Sequence, residues 1–358
     1  MATPVGDSYS TQGGVIAAGR SVKTPLQLLA EGMAPGSVVE FTNSSLNTIP
    51  SGEAVPPWNK PHPTALEPLD WACNMPWDST RHQVYCAGGR DYADPTACKL
   101  IKFDAKTNTW SAKTNPWNHG GGHLYDSTTM SSELGLVFYV PYGNDEILVW
   151  DIEANAAAAS IPIPHRDGGL GGYFPVTAIE WHPKMGTQGA LVWYNNSYNR
   201  TITYDWVTKV WVERKLYGVG PNEGHSVALY LHGAEIVLCG ESFNSGSGFQ
   251  GLNIIDKTGA WSSTAVAPAG ISCNGPSQRG PMVSHPDGHS AILFSGDNQH
   301  IYQWIAATDT WVDRGLLPNG SVVNTIFSIG TSIPEYGVVM FVVRENTTHR
   351  SFLYKPGF

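Results

Sequence analysis

Short apolar runs ending in small or polar residues recur along the chain: Gln83–Gly89, Leu136–Val140, Ala190–Tyr194, Glu235–Gly240, Ala291–Gly296 and Val338–Val343. Runs that are apolar at consecutive positions suit strands sandwiched between packed sheets, because both of their faces are buried. A less regular strand precedes each, beginning near Trp71, His123, Val176, His225, Pro281 and Thr325. After the runs come alternating strands, polar turns and further strands, as in Leu100–Trp110, Ile202–Trp211 and Ile301–Trp311. Strand, turn with Asp, Asn or Thr, then strand is hairpin chemistry. The pattern predicts four strands per unit and six units.

Tryptophans set the period. Trp110, Trp211, Trp261 and Trp311 share one local context, with gaps of 101, 50 and 50, so one tryptophan is missing near Ser160. Their recurrence assigns them to packing between sheets. Trp58, Trp71, Trp77 and Trp117 fall outside that register and are the better binding candidates. Four-stranded units of roughly 40–50 residues signal a β-propeller. The expected fold is therefore all-β, a six-bladed β-propeller of four-stranded blades. The Gly-Gly of Cys86-Ala-Gly-Gly89, followed by Tyr92 and a later turn tryptophan, resembles the kelch repeat. The resemblance spans about residues 70–358 and is degenerate after the first unit, where Gly-Gly becomes Gly240-Glu or Gly296-Asp. It implies the propeller architecture and leaves function open, because kelch-like proteins include galactose-oxidase-type enzymes, sialic-acid epimerases and pure interaction modules.

The last unit holds Thr325–Gly330, Val338–Val343 and Ser351–Tyr354, and lacks an outer strand. Ser37–Ile49 aligns with the Lys99–Trp110 hairpin, so residues within 37–60 are expected to complete the sixth sheet of a propeller spanning 37–358. Residues 1–36 form an expected N-terminal arm, an attachment or docking segment for a protein partner, preceding the ring. Within it, Thr24–Glu31 has the marks of a short helix with Thr24 as N-cap and Pro25 in the first turn. Asp7–Gly14 is similar in style to bacteriophage structural proteins. That similarity implies a virion component of the tail or capsid, contacting another structural protein or a host glycan.

Composition narrows the partners. In 358 residues, aromatic residues make up 11% and charged residues only 14%, which argues against disorder. A net charge of −9 gives nucleic acid and acidic membrane surfaces little to bind. No run approaches the roughly 18 apolar residues of a membrane span, so no membrane insertion is expected. Residues 1–36 show no basic segment followed by an apolar block, so no secretory leader is expected and synthesis is placed in the cytoplasm. Cys73, Cys86, Cys98, Cys239 and Cys273 are an odd, sparse set, expected as buried or free thiols.

In a propeller the sheet-to-sheet loops and the loops between second and third strands share one rim around the central channel, where a polar site is expected. Those segments carry the ligand-binding candidates Arg90, Tyr92, His119, His123, Arg166, Asp167, Glu223 and Arg279. Arginine offers paired donors to anions, and aromatic rings stack on sugar faces. Gly120-Gly121-Gly122 between His119 and His123 argues against a helical metal site, so no metal and no cofactor is expected. Two functions compete. The favoured one is a non-catalytic recognition or assembly propeller with a glycan at its mouth. The alternative is a carbohydrate-active enzyme of lyase or epimerase type, with His165, Tyr173 and His225 as acid–base candidates and Arg166 binding a carboxylate.

Overall fold

The computed structural model describes residues 23–41, 45–49, 74–88, 98–114, 116–117, 126–141, 144–164, 177–195, 200–216, 226–241, 252–265, 281–294, 300–318, 328–345 and 348–358. A helix, α1 (Pro25–Gly32), and a strand, β1 (Val38–Phe41), come first. The first blade is β2 (Trp77–Asp78), β3 (Gln83–Gly88), β4 (Lys99–Asp104) and β5 (Thr109–Thr114). The second is β6 (Thr128–Ser131), β7 (Leu136–Tyr139), β8 (Glu146–Asp151) and β9 (Ala156–Pro162), and the third β10 (Thr177–His182), β11 (Ala190–Asn195), β12 (Arg200–Asp205) and β13 (Trp211–Leu216). The fourth comprises β14 (Ser226–Leu231), β15 (Ile236–Glu241), β16 (Asn253–Asp256) and β17 (Trp261–Ser263). The fifth comprises β18 (Met282–Ser284), β19 (Ser290–Phe294), β20 (His300–Ile305) and β21 (Thr310–Leu316). The sixth contains β22 (Ser328–Ile333), β23 (Val338–Glu345) and β24 (Thr348–Tyr354). Each blade is an antiparallel meander, and the six inner strands β2, β6, β10, β14, β18 and β22 touch in sequence until β22 meets β2. The result is the expected six-bladed propeller.

Burial follows the patterning. β7, β11 and β19 are buried at every position, while Ala156–Ser160 on the outer strand β9 is exposed. Aromatic contacts join neighbouring blades: Phe138 stacks on Trp181 with centroids 5.6 Å apart, and Phe294 meets Phe341 at 5.6 Å. Such pairs add to the area term of burial.

The turn before the outer strand repeats one device in several blades. Asp104, Asp205 and Asp256 accept main-chain N–H groups two and three or four residues on, and the residues just before or near the outer strand, Asn108, Asn155, Lys209, Gly259 and Asp309, all have positive φ. The periodic tryptophans then fall in register: Trp110 opposite Phe103, Trp211 opposite Tyr204, Trp261 opposite Ile255 and Trp311 opposite Trp304. The second blade has Ala157 there, opposite Trp150, so the missing tryptophan maps to Ala157 rather than Ser160. Lys113 of the first blade covers the Trp150 ring instead, 4.5 Å from its centroid. Trp211 also donates from Nε1 to the carbonyl of Pro162 in the preceding blade at 2.9 Å, the packing role its period predicts.

β1 completes the sixth blade. It pairs antiparallel with β24 from Val38 opposite Tyr354 to Phe41 opposite Ser351, inside the 37–60 window read from the sequence. Gly36 N–H donates to Lys355 O at 2.7 Å and Lys355 N–H to Ser37 O at 3.0 Å. Phe41 is buried 5.9 Å from Phe103 of the first blade, so the closing strand also fastens the last sheet to the first. The helix forms where Thr24 and Pro25 predict it, with Thr24 Oγ1 accepting the Gln27 N–H at 3.0 Å. Leu26, Ala30 and Met33 are buried in one cluster with Phe41, Phe103 and Tyr336. Residues 24–36, the end of the expected N-terminal arm, pack on the seam between sixth and first blades, because α1 has an apolar face to bury. Residues 1–22 lie outside the described residues. No helix among the described residues is long and apolar enough to cross a membrane.

Candidate ligand site at the channel mouth

All eleven residues singled out by sequence, Arg90, Tyr92, His119, His123, His165, Arg166, Asp167, Tyr173, Glu223, His225 and Arg279, lie outside the described residues, as do Trp58, Trp71, Cys73 and Cys273. The described site is elsewhere on the channel, and it follows from a problem every propeller has. Each inner strand is the edge of its sheet, so main-chain groups facing the axis need partners beyond the sheet.

Two carboxyl groups and a hydroxyl meet that need. Asp126, just ahead of β6, accepts the Ile179 N–H on its main-chain carbonyl at 2.9 Å, and its Oδ2 accepts the Ala228 N–H at 2.6 Å. One residue of the second blade thereby binds the inner strands of the third and fourth. Burial pushes the Asp126 carboxyl well above its ordinary range; Glu180 nearby pushes the same way, while the Ala228 N–H opposes. Glu180, partly buried in the middle of β10, accepts the Thr129 hydroxyl at 2.6 Å and the Trp181 N–H at 2.8 Å. Burial raises its carboxyl to about 7, opposed by Thr129 and the main-chain N–H groups of Trp181 and Tyr230.

Histidines near this rim serve the turns. His182 Nδ1 accepts the Lys184 N–H at 3.3 Å and its Nε2 faces Glu235 O at 3.1 Å, a pattern that defines a neutral ring with Nε2–H donating. Burial lowers it to about 4. His285 caps the turn after β18 in the same manner, receiving the Asp287 N–H at 3.2 Å.

Below these groups the channel opens into a cavity of about 350 Å³. All six blades line it: Asn74 and Trp77; Met130, Ser132 and Glu133; Glu180 and Trp181; Tyr230 and His232; Met282 and Ser284; Thr331, Ser332 and Glu335. Its walls are the ends of the inner strands and the turns leading to the second strands. Trp77 donates from Nε1 to Glu335 Oε2 at 2.8 Å and packs edge-on against Tyr336 at 5.6 Å. Of the two out-of-register tryptophans that are described, only Trp77 reaches the cavity; Trp117 packs on Tyr139 at 5.4 Å and donates to Val149 O at 3.1 Å. Beside the mouth, Tyr336 OH is hydrogen-bonded to Thr24 Oγ1 at 2.9 Å and His82 Nδ1 at 3.0 Å, tying α1 to both seam blades.

Sequence reasoning missed Glu133, Glu180, Ser332 and Glu335. A usable signal was present for one of them: Glu180 interrupts Thr177–His182, an otherwise largely apolar inner strand. Among the described residues no group of three or more His, Cys, Asp and Glu side chains could hold a metal ion.

No family model and no curated protein matches the chain. Among solved structures it is similar to an auxiliary nutrient binding protein from Bacteroides thetaiotaomicron VPI-5482, at 13% identity and a TM-score of 0.52 over 79% of this chain and 69% of that one. It is similar to a chain of a Mitotic Checkpoint Complex structure at 10% identity and a TM-score of 0.50, covering 99% of both. A structural genomics protein of unknown function from the same Bacteroides strain gives 10% identity and 0.50 over 79% and 69%. Likeness at these identities shows the fold alone.

Proposed function

We propose that the chain is a non-catalytic recognition propeller that takes a small polar ligand into the channel mouth. The observation that carries this reading is the occupation of its buried carboxyl groups. Asp126 already accepts the Ala228 N–H from β14, and Glu180 the N–H groups of its own neighbour Trp181 and of Tyr230 in β14, which suits a fixed wall better than a proton-transfer role. The likeness to a nutrient binding protein supports the fold's use for binding. Protein contacts are assigned to residues 1–36, and a host glycan to Arg90, Tyr92, Arg166 and their neighbours in the glycine-rich segments. Support for a phage tail or capsid setting comes from Asp7–Gly14 alone.

A thermal-shift screen of small metabolites and oligosaccharides against the wild type and Trp77→Ala tests the proposal. Hits that stabilise the wild type and are lost in the variant support it. Turnover of a hit, abolished by His165→Ala or Arg166→Ala, would replace recognition with catalysis.

A further inference from the structure

The turns that follow β14 and β18 cross at the cavity mouth. Gly233 and Ala234 of the fourth blade both donate their N–H groups to Gly288 O of the fifth, at 3.0 and 3.1 Å. Each glycine carries the other turn's imidazole. A Cβ at Gly288 would stand 2.5 Å from His232 Nδ1, and one at Gly233 would stand 2.8 Å from His289 Nε2. Gly288 is buried at the crossing with φ +73°, whereas both rings are exposed. His232 also lines the cavity, as does Ser284 at the end of β18.

Such packing suits neutral rings. A neutral imidazole lies on a glycine at little cost, whereas a charged one loses hydration there. Burial holds the His232 imidazole below its ordinary range; Asp287 and Glu335 oppose this, and His289 pushes the same way as burial. Asp287 and His289 face it from the crossing turn and Glu335 from the sixth blade. Asp287 is engaged by its own turn, where Oδ1 accepts the His289 N–H at 2.8 Å. Protonating both histidines places two like charges on either side of one pair of main-chain bonds.

We propose that this turn pair is an acid-sensitive clasp, which holds the fourth and fifth blades together at the cavity mouth while both imidazoles are neutral and parts them when both are protonated. The charged rings swing out to water, the two N–H bonds to Gly288 O lose their cover, and the His232 wall of the cavity moves. Histidine is the side chain whose ordinary titration falls in the range where such a change is useful. The clasp regulates access to the recognition cavity, so its use rests on that reading, but its operation needs no ligand.

Hydrogen–deuterium exchange of the full chain, read by mass spectrometry and corrected for the intrinsic rate at each pH, is the test. Between about pH 7.5 and about pH 5, the peptide holding Gly233 and Ala234 is expected to lose at least about tenfold in protection, while Val237–Cys239 in β15 keeps its own. In His232→Gln/His289→Gln the loss is expected to vanish. Should that variant be unfolded at neutral pH, either single substitution serves, because one charge has no partner to repel. Equal protection at both pH values overturns the clasp. So does a fall that persists in the variants, which would assign the response to Glu180 or His182. A pH-indifferent seam, with ligand binding lost in Trp77→Ala, ends the clasp and leaves recognition standing; a working clasp with no such ligand ends recognition alone.

Discussion

The side chain of Asp126 in the second blade accepts the main-chain N–H of Ala228 in the fourth, 2.6 Å away, and both residues are buried. Replacing Asp126 with alanine leaves that N–H unpaired, so Asp126→Ala is expected to cost about 1–3 kcal/mol. Asp126→Asn keeps an acceptor oxygen, and burial already favours the protonated, uncharged form of the native group; it should cost less than about 1 kcal/mol. Urea unfolding of the two variants checks this. Equal losses would mean that the bond across the channel contributes nothing.

Ring closure should depend on packing more than on charge. Phe41→Ala removes a buried ring from the seam and is expected to cost about 3–5 kcal/mol. The ion pair between Glu40 and Arg350 is partly exposed, at 2.6 Å, and Glu40→Gln should cost no more than about 1 kcal/mol. Denaturation midpoints of the two variants decide the order, and the reverse order would refute the closure account.

Glu180 sets a pH dependence whose sign is fixed. Its folded value is about 7 against an ordinary 4.5, so between these values the folded chain holds more protons than the unfolded one and stability falls as pH rises. Asp126 and Tyr230 face it. His182 works in the opposite direction: lowered from 6.5 to about 4, it makes stability rise with pH in that window. The whole-protein curve mixes the two. Subtracting the stability of Glu180→Gln from that of the wild type isolates Glu180, and the difference should fall by roughly 2–3 kcal/mol from pH 4.5 to 7, then level off. A flat difference would contradict the assignment.

Thiol chemistry offers a direct readout of burial. Cys98 and Cys239 are buried, and burial pushes both thiols up to about 12. Both should resist a thiol reagent at mildly alkaline pH in the native protein and react fully once it is unfolded, as followed by peptide mass spectrometry. Rapid native labelling of either would show that the blades open locally.

The fold was legible because each unit repeats the same local chemistry. The Asp-capped turn, the left-handed residue after it and the tryptophan of the outer strand recur at near-constant spacing, so Asp205 with Trp211 predicts what Asp256 with Trp261 repeats. The absent outer strand of the last unit pointed to Val38–Phe41. The site was far less legible. Ionisable side chains in glycine-rich segments drew attention to residues outside the described ones, whereas Glu133 and Glu335 sit in ordinary-looking turns and Ser332 in a plain strand. Of the tryptophans outside the repeat period, Trp77 is the described one that lines the cavity. The role of His182 and His285, holding the turn two residues on, depends on side-chain geometry that spacing does not encode.

β1 and β24 join residues as far apart as Glu40 and Arg350, a separation of 310 positions. At roughly 5–20 residues per second a ribosome needs on the order of 15–60 s to cover that distance. Through that interval Val38–Phe41 has emerged while its partner strand is still untranslated, and the buried face of Phe41 has no Phe103-containing seam to enter until the last blade arrives. Nascent-chain chaperones therefore have a defined window and a defined segment to shield, and the circle shuts only after synthesis has passed Tyr354.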